Sequence, residues 1–90
     1  MRYRVEVSDQ AHEQLSRFPR DVQEPMKRAI DELEANDDSQ WSNVKALQGA
    51  QWKGRFRKRV GAYRIIFRKF PDRGVAAISA VIIKSKDTYR

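Results

Sequence analysis

The sequence predicts an α+β domain: an N-terminal strand, a helical hairpin, then a three-stranded antiparallel meander, together forming a mainly antiparallel sheet. Three observations carry that expectation. Apolar residues alternate at period two at the start of the chain, recur at helical spacing through residues 11–33, and return as strand-like runs after residue 52. Turn formers separate the last of these runs. At 90 residues the chain reads as one domain, residues 1–90, with a modest core, since a domain of this size buries only about 60–65% of its unfolded surface.

Tyr3, Val5 and Val7 alternate with Arg2, Arg4 and Glu6, the pattern of a strand with one buried face. Ser8 or Asp9 offers an N-cap, and Ala11, Leu15 and Phe18 make the apolar stripe of a short helix that Pro19 ends. Val22, Met26, Ile30 and Leu33, with Ala29, form the stripe of a second helix ending near Asn36. Pro25 removes one backbone hydrogen bond and crowds the carbonyl four residues earlier, so this helix either kinks there or becomes regular near Glu24. Asn36 to Gln51 reads as a loop ordered by Trp41, Val44 and Leu47. Trp52 to Val60 alternates, Tyr63 to Phe70 is aromatic and β-branched, and Val75 to Ile83 is the near-continuous apolar run of a central strand. Gly61 marks the first reversal and Pro71-Asp72-Arg73-Gly74 the second.

The net charge of +7 is unevenly distributed. Residues 1–44 hold six cations and ten anions, net −4, and residues 45–90 hold thirteen cations and two anions, net +11. An acidic first half and a basic second half suggest one face for a polyanion, without choosing among RNA, DNA, an acidic protein and a membrane surface. With no cysteine, disulfides and thiolate metal sites are excluded, and the single histidine, His12, reads as a helix-surface residue. The pairs Asp31/Glu32 and Asp37/Asp38 have no His or Cys company, so no metal and no cofactor are expected. The start, MRYRVEVSDQ, lacks an apolar signal region, and no apolar run approaches the ~18–20 residues of a membrane span. A cytoplasmic location is expected.

The sharpest local feature is Trp52-Lys-Gly-Arg-Phe-Arg-Lys-Arg-Val60. On one continuous strand Lys53, Arg55, Arg57 and Arg59 project from one side, with Trp52, Phe56 and Val60 on the other. The next strand adds Arg64 and Arg68, and the end of the chain Lys84 and Lys86. Such a run is either a solvated strand face or a phosphate-binding surface. The dominance of arginine, whose planar fork suits phosphate, and the scarcity of anions nearby favour the second. Tyr89, beside these cations, either pins the terminus, stacks on a base, or takes part in proton transfer. Trp41 and Trp52 read as core or loop anchors.

Lys45-Ala-Leu-Gln-Gly49, Trp52-Lys-Gly-Arg-Phe-Arg-Lys-Arg-Val-Gly-Ala-Tyr-Arg-Ile-Ile-Phe67 and Ala80-Val-Ile-Ile-Lys-Ser-Lys-Asp-Thr-Tyr89 resemble the RelE/ParE superfamily of bacterial toxin–antitoxin toxins. That pattern runs K-L-x-G, then G-x-x-R-x-R-x-G-D-Y-R followed by apolar residues, then a last strand ending H-R-x-x-x-Y. The resemblance spans nearly the whole chain and implies a RelE-like fold. Its RelE branch implies a metal-independent mRNA endonuclease that enters the ribosomal A site and is held by a cognate antitoxin. Carried over by position, Arg55 and Arg57 contact the phosphate, Arg64 stabilises the transition state and Tyr89 is the terminal tyrosine. Lys53, Arg59, Arg68, Lys84 and Lys86 then serve as electrostatic RNA contacts. The chain departs from the pattern at Ala62, in place of the aspartate, and at Lys84-Ser85, in place of His-Arg; Arg55 and Arg57 stand where some relatives have lysine. A ParE-type gyrase inhibitor and a catalytically weakened RNA- or ribosome-binding homologue are therefore the alternatives.

Overall fold

The computed structural model describes residues 1–83. The strands are β1 (Arg4–Val7), β2 (Val44–Ala46), β3 (Arg55–Val60), β4 (Tyr63–Phe70) and β5 (Val75–Ile83); the helices are α1 (Asp9–Ser16) and α2 (Arg20–Ala35). One five-stranded sheet has the order β1-β5-β4-β3-β2, with β1 parallel to β5 and every other pair antiparallel. The expected α+β class holds. The meander has one more member than the sequence suggested, because Val44–Ala46, read as loop, pairs with β3 along the far edge.

Local chemistry accounts for the helix ends. The Ser8 hydroxyl caps α1 by accepting from Ala11 N at 3.1 Å and donates to Ser79 O at 3.1 Å. Beyond the end of β1, the edge of β5 is closed by α1, where Val81 N donates to Gln14 Oε1 at 2.7 Å. Pro19 caps α2, which runs unbroken through Pro25, so its regular part starts at Arg20 rather than Glu24. Only the amide that would have bonded to Asp21 is missing there, and packing of the apolar stripe outweighs that loss.

Both helices pack on one face of the sheet. The core between them holds Tyr3, Ala11, Met26, Ala29, Leu33, Ile65, Phe67, Ala76, Ile78 and Val81. Phe67 lies at its centre, stacked on Phe56 at 5.7 Å and met edge-on by Trp41 at 5.7 Å. Trp41 also donates to Leu33 O at 3.1 Å, the loop-anchoring role expected of it. Lys58 shares the core face of β3 with Phe56 and Val60 and is only 2% exposed. Its ammonium reaches Ser42 O at 2.8 Å and Glu32 Oε1 at 3.2 Å.

Candidate functional site

Covering one face of the sheet with helices leaves the other face for function. Alternation places Lys45 of β2, Arg55, Arg57 and Arg59 of β3, and Arg64, Ile66 and Arg68 of β4 on that outer face. Register makes Arg55 face Arg68, Arg57 face both Lys45 and Ile66, and Arg59 face Arg64. Strands β2, β3 and β4 contain no aspartate or glutamate. Like charges directly opposite each other are destabilising, so the face stores repulsion that a bound polyanion would relieve.

The arginines are held in different directions. Arg55 Nη1 donates to Ser79 Oγ at 3.5 Å and must cross β4 to reach it. Ser79 is the extra residue where the β4–β5 register shifts between Ile66 and Phe67, a bulge of the kind that re-aims side chains. Arg57 Nη1 donates instead to Asn43 O at 2.8 Å, on the opposite flank. Arg64 is 7% exposed, and its Nη1 donates to Gly61 O at 3.0 Å and Tyr63 O at 2.9 Å. The guanidinium therefore staples the β3–β4 reversal, where Gly61 has φ +60° and Ala62 is the second residue of a two-residue loop. Glycine at the first position of such a hairpin loop matches the right-handed twist of the strands. Arg68 is exposed and lies against Gly54 and the ring of Phe70.

Five sequence-predicted residues thus share the outer face: Arg55, Arg57, Arg59, Arg64 and Arg68. Lys53 does not sit on their strand. A short 3₁₀ turn occupies Ala50–Trp52, Gly54 takes φ +78°, and β3 begins only at Arg55. The expected alternation from Trp52 is interrupted because a positive φ breaks the pleat. Lys84, Lys86 and Tyr89 lie outside the described residues. Asn43 and Ser79 were not singled out from the sequence, and Lys45 entered only as the first residue of a matching motif. Neither a three-residue strand nor a one-residue bulge leaves a periodic signal. Among the described residues no three His, Cys, Asp or Glu side chains converge as metal ligands.

The cost of the like-charge register is measurable. Arg59→Thr removes one member of the Arg59–Arg64 pair from an exposed strand position and substitutes a good strand former. It is expected to raise stability by about 0.2–1 kcal/mol at low ionic strength, a gain that shrinks in molar salt as charges are screened. Urea unfolding at the two salt concentrations checks this; no gain at low salt would show that the repulsion is not stored.

A single helical layer on one face of a mixed five-stranded sheet is the RelE/ParE fold, and the resemblance read in the sequence holds at that level. A chain of the archaeal RelE–RelB complex from Pyrococcus horikoshii OT3 superposes with a TM-score of 0.75 at 24% identity, covering 96% of this chain and 99% of that one. YafQ from E. coli strain BL21(DE3) gives 0.71 at 16% identity, over 92% and 94% of the two chains. The YoeB/ParE toxin from Agrobacterium tumefaciens gives 0.71 at 11% identity, over 94% and 100%. No family model matches the chain, and no curated protein matches it by sequence.

Proposed function

We propose that this chain is the toxin of a toxin–antitoxin pair and an endoribonuclease that cleaves mRNA in the ribosomal A site. The observation that carries the reading is the outer face of β2–β4, where arginines stand opposite arginines with no carboxylate on those strands. The fold shared with RelE, YafQ and YoeB/ParE toxins supports it, and the RelE–RelB complexes among these relatives support a cognate antitoxin as partner. Both would meet in the cytoplasm.

In this reading the 2′-hydroxyl attacks the adjacent phosphorus, the 5′-oxygen leaves, and a 2′,3′-cyclic phosphate remains. One proton is lost from the 2′-oxygen and one is gained by the leaving oxygen. Negative charge grows on the phosphorane, where preorganised guanidinium groups lower the barrier. Arg55 and Arg57 contact the phosphate and Arg64 the developing charge. Tyr89 serves as acid, base or stacking group, and Lys53, Arg59, Arg68, Lys84 and Lys86 attract the strand. Arginine cannot act as a general base near neutral pH, so proton transfer falls to Tyr89, a lysine or the bound RNA.

Ser85, in place of the pattern's arginine, favours a second reading, a homologue that keeps RNA or ribosome binding and cleaves weakly or not at all; a ParE-type gyrase inhibitor is a separate alternative. Induction in growing cells with mapping of mRNA 5′ ends separates these. Growth arrest with new 5′ ends within codons is the expected result. Arrest with intact mRNA and a DNA-damage response would overturn the nuclease in favour of gyrase inhibition. Intact mRNA on toxin-bound ribosomes, with cleavage restored by Ser85→Arg, would mark a weakened homologue.

A further inference from the structure

We propose that the pocket at the β2–β3 edge, lined by Asn43, Val44, Lys45, Arg57 and Arg59, is a second phosphodiester subsite that holds a phosphate flanking the reacting one. The inference rests on the RNA-directed reading above and adds to it a residue, Lys45, and a direction for the bound strand.

The pocket encloses about 300 Å³. Three of its five lining residues are cationic and none is acidic, so no carboxylate of the lining neutralises it. It is also shaped by the backbone. Asn43 takes φ +59°, a left-handed conformation that asparagine tolerates better than most residues. Its carbonyl accepts from Arg59 N at 2.9 Å and from Arg57 Nη1 at 2.8 Å. That second bond draws the Arg57 guanidinium towards β2. Lys45 stands directly opposite Arg57 in the ladder, and its exposed side chain completes the basic rim.

The reacting phosphate lies on the β4 side of Arg57, which borders both positions. Arg55 reaches across β4 to Ser79, and Arg64 is folded over the Gly61–Tyr63 reversal. Neighbouring strands lie about 4.8 Å apart, so the pocket is displaced from β4 by one to two strand spacings. Lys45 and Arg64 stand on β2 and β4, with β3 between them. A single strand crossing from β4 towards β2 would place successive phosphates on the two positions.

The test is a fluorescence-anisotropy titration of the full chain with a short 2′-O-methyl oligouridylate, which binds but cannot be cut, over a series of salt concentrations. Lys45→Ala is expected to weaken binding about three- to tenfold and to reduce the slope of log K against log salt by about 0.7, the value of one single-strand phosphate contact. Arg20→Ala removes an equal charge from the exposed start of α2, on the helical side, and is expected to leave the slope unchanged. Oligonucleotides with one neutral methylphosphonate at successive positions then locate the contact. Lys45→Ala should abolish the sensitivity at one position displaced from the cleavage site. An unchanged slope in Lys45→Ala, or an equal loss in Arg20→Ala, overturns the subsite while leaving the RNA reading intact. So does an unchanged RNA titration combined with lost affinity for a polyglutamate peptide, which would give the pocket to an acidic protein segment. A flat salt response in the wild type overturns the RNA reading and the subsite with it.

Discussion

Glu32→Ala is expected to destabilise the fold by about 3 kcal/mol, and Lys58→Met by less than about 1 kcal/mol. The two substitutions remove opposite ends of one ion pair, and the asymmetry follows from where each end sits. The Lys58 side chain is 3% exposed and that of Glu32 is 33% exposed. Glu32 Oε1 also accepts from Ser42 Oγ at 3.0 Å. Without Glu32, the Lys58 ammonium keeps, among the described residues, only Ser42 O, and strand register with Val44 on one side and Ile65 on the other prevents it from turning towards water. Without Lys58, the Glu32 carboxylate keeps Ser42 and hydrates through its open side, while methionine fills the core position with little loss of volume. Urea unfolding of the two variants gives the ranking. Equal costs, or the reverse order, would mean that the pair behaves as a surface ion pair.

The same site sets an acid limit on stability. Burial alone would push the Glu32 carboxyl up, but the hydrogen bonds from Ser42 and Lys58 and the Lys58 charge outweigh it and hold the group below the ordinary carboxylate value of 4.5. A carboxylate with a lowered folded-state pKa contributes stability that is complete above the unfolded value and lost as pH falls through the folded one. The stability gap between wild type and Glu32→Gln should therefore be constant from pH 7 to about 5 and close below about pH 4. Thermal midpoints across that range measure it.

The ion pair also shows what the sequence carried and what it did not. Strand alternation in Arg55–Val60 places the arginines on one face and, by the same parity, places Lys58 beside Phe56 and Val60. The signal for a buried lysine was present, but its partner lies 26 residues away in α2 and only the fold brings them together. Long periodic segments were legible for a simple reason. Both helices, β4 and β5 repeat their apolar pattern over enough residues for one face to be recognised. Strand β2 spans three residues, Val44 to Ala46, and exists because β3 offers it backbone partners rather than because its side chains demand it. Lys53 was misassigned because alternation continues by eye across Gly54, whose positive φ ends the pleat. Parallel pairing of β1 with β5 is a tertiary outcome, fixed by the helices that connect β1 to the rest of the sheet. Of the site, residue identity was legible and direction was not. Sequence placed Arg55 and Arg57 two apart on one strand; that they turn to opposite flanks depends on Ser79 in a bulge and Asn43 in a left-handed turn.

Arg64→Ala is expected to lower RNA cleavage by about 10²–10³-fold, the loss typical of removing one preorganised donor to a developing oxyanion. In the proposed nuclease reading the residue has two roles, and the measurement separates them. Its Nη1 bonds to Gly61 O and Tyr63 O hold the β3–β4 reversal, so truncation also weakens the fold by about 1–3 kcal/mol as those acceptors lose their donor. Arg64→Lys keeps a positive charge but loses the planar fork that reaches two carbonyls at once. It should therefore unfold nearly as easily as Arg64→Ala while retaining more cleavage per folded molecule. The experiment pairs thermal unfolding with cleavage of mRNA in programmed ribosomes, at a temperature where both variants are folded. If cleavage by Arg64→Ala and Arg64→Lys falls only in proportion to the folded fraction, Arg64 is a turn staple and the transition-state charge is met elsewhere. If the two variants are equally unstable but differ tenfold or more in cleavage, the charge itself acts on the phosphate. Arg64 then does for the RNA what it already does for the turn: a buried guanidinium, fixed in place by two backbone carbonyls, needs little reorganisation when negative charge arrives.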